Sequence, residues 1–343
     1  MAKISLAVKH RPKSFDDLTE QSYIKDILCN QIETDTMQHA YLFTGPAGTG
    51  KTTSARIFAS MINGEKSDVI EIDAASNSGV ENVRGIIEDS KKRSIISKYK
   101  VFIIDECHSL SNEAWQAMLK LLEEPPKFSI FILCTTDPQK IPATIMSRVQ
   151  RYQFNKISVD GITARLEHIL EDEGYKPQRT INEKSYSTDA VEYIAKLSNG
   201  GMRDAITLMD KCLSLDSNLT LENVLNVVGT ASYDTFFDLL RSLLVKDMSS
   251  TEFIDRAFND GKDIKIFMKD FAKFVLDVEK YCVNPKFDYI TIPATYQDRL
   301  EAIKSSPVCD VLELVFNINN SIKWDNDPKT LTDMMMLLYC KGE

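Results

Sequence analysis

Tyr41-Leu-Phe-Thr-Gly-Pro-Ala-Gly-Thr-Gly-Lys-Thr-Thr53 is the stretch that decides how this sequence is interpreted. It contains the pattern G-x-x-x-x-G-K-[ST], the phosphate loop of nucleotide triphosphatases. Glycines let backbone N–H groups converge on an anion, the lysine reaches the β- and γ-phosphates, and the following hydroxyl can hold Mg²⁺. The predicted nucleotide-binding residues of this loop are Gly45, Pro46, Ala47, Gly48, Thr49, Gly50, Lys51, Thr52 and Thr53.

The flanks of the loop support this interpretation. Residues 40–43 form an apolar run that predicts a strand, and residues 52–61 predict a helix whose positive end faces the phosphates. A glycine-rich turn that binds nothing is the alternative, and the strand before it and the helix after it argue against that alternative.

Length and composition are those of a globular protein of two or three domains. The chain has 343 residues, 43% of them hydrophobic and 27% charged. Its net charge of −9 arises in the second half, because residues 1–155 hold 19 basic and 19 acidic residues and the remainder holds 22 and 31. The total charge therefore does not exclude a local basic face that binds nucleic acid.

The cysteines and the apolar segments indicate the compartment. Seven cysteines are scattered without a C-x-x-C spacing, so we expect reduced thiols and neither a zinc site nor a disulfide framework. No stretch reaches about 18 apolar residues, and the N-terminus has no apolar signal region. We expect a cytoplasmic protein with no membrane partner.

Two acids follow the predicted strand at residues 101–104. A continuous apolar run that ends in carboxylates is typical of a buried parallel strand that delivers acids to the edge of a sheet. Asp105 suits Mg²⁺ binding, and Glu106 suits a general base that polarises the attacking water. The alternative is that the two acids only begin a turn. Neither Cys107 nor His108 is assigned a role as a ligand.

Strands and helices alternate through the first half. Further strands are predicted at 69–73 and 130–134, with helices at 80–93 and around 115–122. This order predicts an α/β fold with a parallel sheet and helices on both faces. Residues 158–228 show helical periodicity and no convincing strand, and the chain beyond is helical again.

Several motifs in sequence order are closely similar to those of the AAA+ clamp-loader ATPases, most of all the gamma/tau subunits of the bacterial DNA polymerase III clamp loader. Besides the phosphate loop they are Lys9-His10-Arg11-Pro12, Phe15-Asp16-Asp17-Leu18, Glu71-Ile72-Asp73-Ala74-Ala75-Ser76-Asn77, Asp105-Glu106-Cys107-His108, Thr135-Thr136-Asp137-Pro138-Gln139-Lys140, Ser147-Arg148 and Gly201-Met202-Arg203-Asp204-Ala205. The resemblance is strong over residues 6–215 and weak beyond.

The resemblance implies a domain order and a function. We expect an AAA+ nucleotide domain at residues 1–156, a small helical lid at 157–230 and a helical collar at 231–343. The family implies ATP and Mg²⁺ as cofactors and a ring-shaped pentamer that opens a sliding clamp and loads it on primer-template DNA. An AAA+ ATPase of replication-fork maintenance or branch migration is the alternative, and a non-hydrolysing structural subunit is a third possibility.

The resemblance also implies roles for single residues. Thr136 matches the sensor that reads the γ-phosphate, with Thr135 as the alternative, and Arg203 matches the lid arginine that touches nucleotide. Arg148 matches the arginine finger that acts on the ATP of the neighbouring subunit, so that Glu106, Lys51, Arg148 and Thr136 form the expected catalytic set. The resemblance also implies that Arg11 and Pro12 lie beside the adenine and that Ser78, Asn82 and Arg84 contact DNA phosphates. Lys91, Lys92 and Arg93 follow on the same segment, and a solvated helix end explains these three equally well.

The sequence departs from the gamma/tau pattern in three places. These subunits carry a four-cysteine zinc module between the phosphate loop and the second strand, but residues 57–72 contain no cysteine, so we expect no zinc. Val149 stands where the family has the cysteine after the finger. The chain also ends at Glu343 without the long tau extension, so we expect a compact version.

Overall fold

The structure is a computed structural model, and it describes residues 4–64, 68–177, 184–228 and 232–342. The chain packs as two compact units. The first comprises Met1–Ile169 and Ser198–Thr207, and the second comprises Leu170–Leu197 and Leu208–Glu343. The expected division into three domains stays a prediction, and its boundary at residues 230 and 231 lies outside the described residues.

The first unit is built on a five-stranded parallel sheet in the order β2-β3-β4-β1-β5. Its strands are β1 (Ala40–Thr44), β2 (Asp68–Asp73), β3 (Lys100–Asp105), β4 (Ser129–Thr135) and β5 (Gln150–Gln153). The helices up to the end of β5 are α1 (Leu6–Lys9), α2 (Ser22–Glu33), α3 (Lys51–Asn63), α4 (Val80–Ser90), α5 (Asn112–Glu123) and α6 (Ala143–Met146). The expected α/β fold is confirmed.

Each buried strand contributes side chains to the hydrophobic cores on both faces of the sheet. Leu42, Phe102 and Phe131 pack on the face that α4 and α5 cover. Their neighbours along the strands, such as Phe43 and Ile103, pack on the opposite face with residues of α2 and α3. Successive side chains of a strand point to opposite faces, so a strand covered on both sides is apolar throughout. This is why the central strands read as continuous apolar runs.

The structure corrects three sequence predictions about the elements. The edge strand β5 was not predicted, because Gln150-Arg151-Tyr152-Gln153 is largely polar and only Tyr152 is buried. A strand at a sheet edge faces water on one side and has no continuous apolar run. Two short strands also lie in the region 158–228 that was predicted to have none. The helix predicted at 80–93 ends at Ser90, and Lys91 is its C-cap.

The rest of the chain is mainly helical. Its elements are α7 (Val159–Asp172), β6 (Lys176–Pro177), β7 (Ser185–Tyr186), α8 (Thr188–Leu197), α9 (Met202–Leu215), α10 (Leu221–Val228), α11 (Tyr233–Leu244), α12 (Ser250–Asn259), α13 (Ile264–Val283), α14 (Gln297–Ile303), α15 (Val308–Ile322) and α16 (Pro328–Lys341). No helix in the described part of the chain combines the length and the apolar composition needed to span a bilayer.

An aromatic cluster forms the core of the second unit. The ring of Phe236 on α11 lies 5.4–5.6 Å, between centroids, from three rings on α13, those of Phe267, Phe271 and Phe274. The carboxylate of Asp277 is buried on the same helix and accepts hydrogen bonds from the backbone N–H and the hydroxyl of Thr291, both at 2.7 Å. These contacts satisfy the buried charge and fasten the segment after α13 to the core.

We expect Phe271→Ala to lower the free energy of unfolding of the second unit by about 3–5 kcal/mol, because a fully buried ring leaves a cavity that the helices cannot close. Phe316→Ala is the matched control, since 63% of that side chain is exposed on α15. Chemical denaturation followed by circular dichroism measures both. Equal effects of the two substitutions would contradict the assigned core.

Candidate active site

The phosphate loop joins β1 to α3 and contains three glycines with positive φ values. Gly45, Gly48 and Gly50 have φ values of 146°, 72° and 98°, a region that side chains with a β-carbon rarely adopt. A β-carbon on Gly45 would lie 2.3 Å from the carbonyl oxygen of Phe154. The backbone N–H of Phe154 in turn donates to the carbonyl of Thr44 at 2.7 Å. The loop is therefore fixed against the end of the edge strand that the sequence did not reveal.

Lys51 lies inside this loop. Its ammonium group donates to the carbonyl oxygens of Gly45 and Pro46 at 2.8 and 2.7 Å, and the residue is 6% exposed. Burial lowers the pKa of Lys51, and the nearby Cys134, Glu106 and Asp105 oppose that shift. A cation held by neutral carbonyls can exchange them for phosphate oxygens, which are stronger acceptors.

Thr52 and Asp105 meet across the sheet edge. The hydroxyl of Thr52, in the first turn of α3, donates to the Asp105 carboxylate at the end of β3 at 2.8 Å. Two hard oxygen ligands side by side, one of them charged, fit Mg²⁺, which prefers oxygen donors and one or two carboxylates together with substrate phosphates. These two predicted metal ligands are thus brought together.

Glu106 follows Asp105 and turns the chain sharply. Its φ is 46°, an uncommon value for a residue with a side chain. One carboxylate oxygen, Oε2, accepts a hydrogen bond from the Thr136 hydroxyl at 3.0 Å and lies 3.2 Å from Nδ1 of His108. The turn after β3 and the end of β4 therefore converge on the predicted general base.

The two threonines at the end of β4 differ in their surroundings. Thr135 is fully buried, and its hydroxyl contacts Nδ1 of His108 and the backbone N–H of Asp137, both at 3.0 Å. Thr136 is half-buried and contacts Glu106. This arrangement favours Thr136 over Thr135 as the residue that can face a phosphate. His108 was not predicted for the site, and its position two residues after the glutamate was the only sequence signal for it.

The segment that carries Arg203 lies on the phosphate loop. The backbone N–H of Met202 donates to the carbonyl of Gly48 at 3.0 Å, and a β-carbon on Gly48 would be 3.0 Å from Cα of Gly201. The Arg203 side chain is exposed, and no hydrogen bond to its guanidinium is found among the described residues. Arg203 therefore lies in the first turn of α9, next to the loop, with its guanidinium exposed to solvent.

The N-terminal segment also reaches the loop. Leu18 packs against it, since its Cδ1 would lie 3.1 Å from a β-carbon on Gly50. Arg11 and Pro12 are half-buried just after α1, and the carbonyl of the preceding His10 accepts a hydrogen bond from Arg165 of α7. The role of Arg11 and Pro12 beside the adenine stays a prediction.

Arg148 lies away from the phosphate loop of its own chain. It comes two residues before Gln150, which pairs with Tyr41 near the start of β1, whereas the loop follows the end of that strand. Its guanidinium contacts Glu123 at 2.7 Å and the carbonyl of Thr144 at 2.6 Å. Arg148 therefore lies at the amino end of the sheet, and its role as an arginine finger stays a prediction.

The predicted DNA-contacting residues lie at the start of α4. Ser78, Asn82 and Arg84 are exposed, and Val83 between them is buried in the core, so the helix presents them to solvent. Arg84 pairs with Glu81 at 2.5 Å, and both side chains are more than half exposed. An exposed pair of this kind adds little stability and is easily exchanged for a phosphate contact.

The acidic residues, histidines and cysteines bear on the expected absence of zinc. Among the described residues no three His, Cys, Asp or Glu side chains group as a metal cluster. All seven cysteines lie in the described ranges, and none is paired. The absence of zinc stays a prediction that depends on the missing cysteine module.

Known proteins similar to this chain include several subunits of DNA polymerase III. The family model for the DNA polymerase III delta subunit matches residues 20–79 and 60–158. The DNA polymerase III subunit tau of Bacillus subtilis (strain 168) is 35% identical over 96% of this chain. The DNA polymerase III subunit gamma of Buchnera aphidicola subsp. Schizaphis graminum is 36% identical, and the match covers 71% of this chain and 70% of that protein. This chain belongs to the DNA polymerase III gamma/tau family.

Solved structures similar to this chain provide information on its fold. The Thermotoga maritima RuvB Holliday junction branch migration motor matches with a TM-score of 0.52 and 20% identity, over 68% of this gamma/tau-type chain and 79% of that one. At this identity the likeness concerns the fold alone, and it confirms the AAA+ class. The chain spans 62% of the length of the Bacillus subtilis relative.

Gly45→Ala is expected to weaken nucleotide binding about 10-fold or more, because the added methyl group meets Phe154 and the backbone is strained by roughly 1–3 kcal/mol. Gly85→Ala, in the middle of α4 with open space around the added carbon, is the control. Equilibrium binding of a fluorescent ATP analogue measures both variants. Unchanged affinity in the Gly45 variant would contradict the assigned role of the loop.

Proposed function

We propose that this chain is an ATP-driven motor subunit of a DNA sliding-clamp loader. The observation that carries the proposal is the meeting of Lys51 and Thr52, where the phosphate loop joins α3, with Asp105 and Glu106 at the carboxyl end of β3. A scaffold subunit has no chemical need for these four groups together. Membership of the gamma/tau family supports the choice of a clamp loader over other AAA+ ATPases.

Different residues of one chain carry out different parts of ATP binding and hydrolysis. Backbone N–H groups of the loop and Lys51 bind the β- and γ-phosphates, and Thr52 with Asp105 holds Mg²⁺. When bound, the ion neutralises charge that develops on the transferring phosphoryl group. Glu106 accepts a proton from the attacking water, and Thr136 beside it contacts the γ-phosphate. Arg203 reaches the nucleotide from the start of α9.

The arginine finger comes from the neighbouring chain. Arg148 lies at the opposite end of the sheet from its own phosphate loop, so it acts on the nucleotide of an adjacent subunit. Its partner Glu123 is half exposed, and such ion pairs are worth about 0–1 kcal/mol, so the guanidinium exchanges readily to a phosphate. Hydrolysis therefore requires assembly with other clamp-loader subunits, in the expected pentamer.

The remaining partners follow from the family and from the surface of α4. The loader opens a ring-shaped clamp while ATP is bound and releases it around primer-template DNA after hydrolysis. Ser78, Asn82 and Arg84 contact DNA phosphates, which makes the affinity dependent on salt and independent of sequence.

Glu106→Gln is expected to bind ATP and to assemble with its partners, but to lower kcat roughly 10²–10⁴-fold, because the amide cannot accept the proton. Glu88→Gln is the control, since that exposed glutamate pairs with Lys91 on α4. Steady-state phosphate release measures turnover. Wild-type turnover of the Glu106 variant would show that the residue is not the base.

Arg148→Ala is expected to lower kcat of the assembled complex roughly 10³-fold or more. Mixing this variant with Lys51→Ala should restore part of the activity, because one chain then supplies an intact site and the other supplies an intact finger. Arg151→Ala, an exposed arginine on β5, is the control. A mixture as inactive as its components would contradict a role in trans.

The test of the whole proposal is ATP turnover with candidate partner subunits, in the presence and absence of primed DNA and a sliding clamp. Strong stimulation that needs both clamp and primed DNA supports the clamp-loader function. Stimulation by branched or blunt DNA without any effect of a clamp would overturn it in favour of fork maintenance.

A further inference from the structure

His108 contacts the predicted general base from the turn that follows it. The 3₁₀ turn Cys107–Ser109 directs the imidazole back toward the strand ends, where its side chain is 18% exposed. Nδ1 lies 3.2 Å from Oε2 of Glu106 and 3.0 Å from the hydroxyl oxygen of Thr135. The ring thus lies between the buried end of β4 and the carboxylate.

The contact between His108 and Glu106 is favourable only if the correct ring nitrogen carries a hydrogen. An ionised carboxylate only accepts hydrogen bonds, so a favourable contact with Glu106 requires a hydrogen on Nδ1. The hydroxyl oxygen of Thr135 already accepts from the backbone N–H of Asp137 and is available as a second acceptor. In its Nδ1–H form, His108 donates to the Thr135 hydroxyl at 3.0 Å, and the same nitrogen lies 3.2 Å from the adjacent Oε2 of Glu106.

The carboxylate of Glu106 is held at one oxygen and left available at the other. Oε2 accepts a hydrogen bond from the Thr136 hydroxyl at 3.0 Å and lies 3.2 Å from Nδ1 of His108. No described residue donates a hydrogen bond to Oε1. A base anchored in this way can present its second oxygen to a water molecule without losing its orientation.

Thr136 cannot serve Glu106 and a phosphate at the same time. Its hydroxyl carries one hydrogen, and in the structure that hydrogen is donated to Glu106. If the hydroxyl turns to the γ-phosphate when ATP binds, the carboxylate loses that anchor. Nδ1 of His108, 3.2 Å from Oε2, is then the nitrogen positioned to replace that hydrogen bond.

We propose that His108 is a positioning residue for Glu106, which it orients through Nδ1–H while Thr136 is engaged with the nucleotide. This inference deepens the proposed function and rests on it. In this proposal His108 acts through Glu106 and does not bind the nucleotide. It should therefore affect the rate of hydrolysis and leave nucleotide affinity unchanged.

A pair of substitutions separates positioning from packing. In His108→Asn the side-chain amide nitrogen can take the place of Nδ1, whereas in His108→Gln the longer side chain carries it to the place of Nε2. Both are polar and similar in size. In the assembled, clamp- and DNA-stimulated complex we expect the Asn variant to keep kcat within about 3-fold of the wild type. The Gln variant should lose about 10-fold or more, since hydrogen bonds to charged groups are worth roughly 10- to 100-fold.

The supporting result has three parts. The Gln variant lowers kcat, both variants keep the wild-type KM and affinity for an ATP analogue, and His108→Gln has no further effect in the Glu106→Gln background under single-turnover conditions. His39→Leu is the control, because that exposed histidine precedes β1 at the other end of the strand.

Other outcomes overturn the inference. Equal kcat in both variants would show that the Nδ1 donor is not used, and a kcat above the wild type would show that His108 restrains Glu106. A change confined to KM or affinity would place the effect on nucleotide binding. If Glu106→Gln is inactive while His108→Gln turns over normally, the positioning role alone fails. If Glu106→Gln turns over normally, the proposed function of the site fails.

Discussion

The side chains of Thr52, in the helix that follows the loop after β1, and of Asp105, at the end of β3, lie 2.8 Å apart although β1 and β3 are not neighbours in the sheet. They meet because β4 lies between those strands and all three are parallel and in register, so that their carboxyl ends share one edge. The polar residues of the site lie at or just after the carboxyl ends of these three strands. A slip of any of the strands by one residue would turn its buried side chains to the wrong face, so the same apolar packing that stabilises the sheet also positions the site.

The edge strand β5 supports the site without contributing to its chemistry. Tyr152 and Phe154 are buried against the rings of Tyr41 and Phe43, and the carbonyl of Phe154 lies where a side chain on Gly45 would have to be. The first glycine of the phosphate loop is thus required by a neighbour in space as well as by its own backbone angle. Packing of aromatic rings at this edge thus fixes the backbone that the first glycine of the loop approaches.

The polar contacts of the site differ greatly in how firmly they are held. Lys51 is buried and donates to two carbonyls, and Thr135 is completely enclosed. Arg84 and Arg148 instead form ion pairs with half-exposed or exposed glutamates, which water and salt screen. Lys51 and Thr135 are therefore preorganised by burial, whereas the groups proposed to act on DNA or on a neighbouring subunit remain free to change partners.

The sequence by itself determined the phosphate loop, the acids after β3 and the threonines after β4. Each of these signals is local, because a glycine pattern or an apolar run ending in polar residues is complete within about ten residues. The tertiary structure decided what lies between those segments. It showed that Thr136 rather than Thr135 donates to Glu106, that His108 lies beside the same carboxylate, and that β5 forms one edge of the sheet. A polar edge strand and a contact between two turns leave no periodic signal, because they are stabilised by residues more than twenty positions away in the sequence.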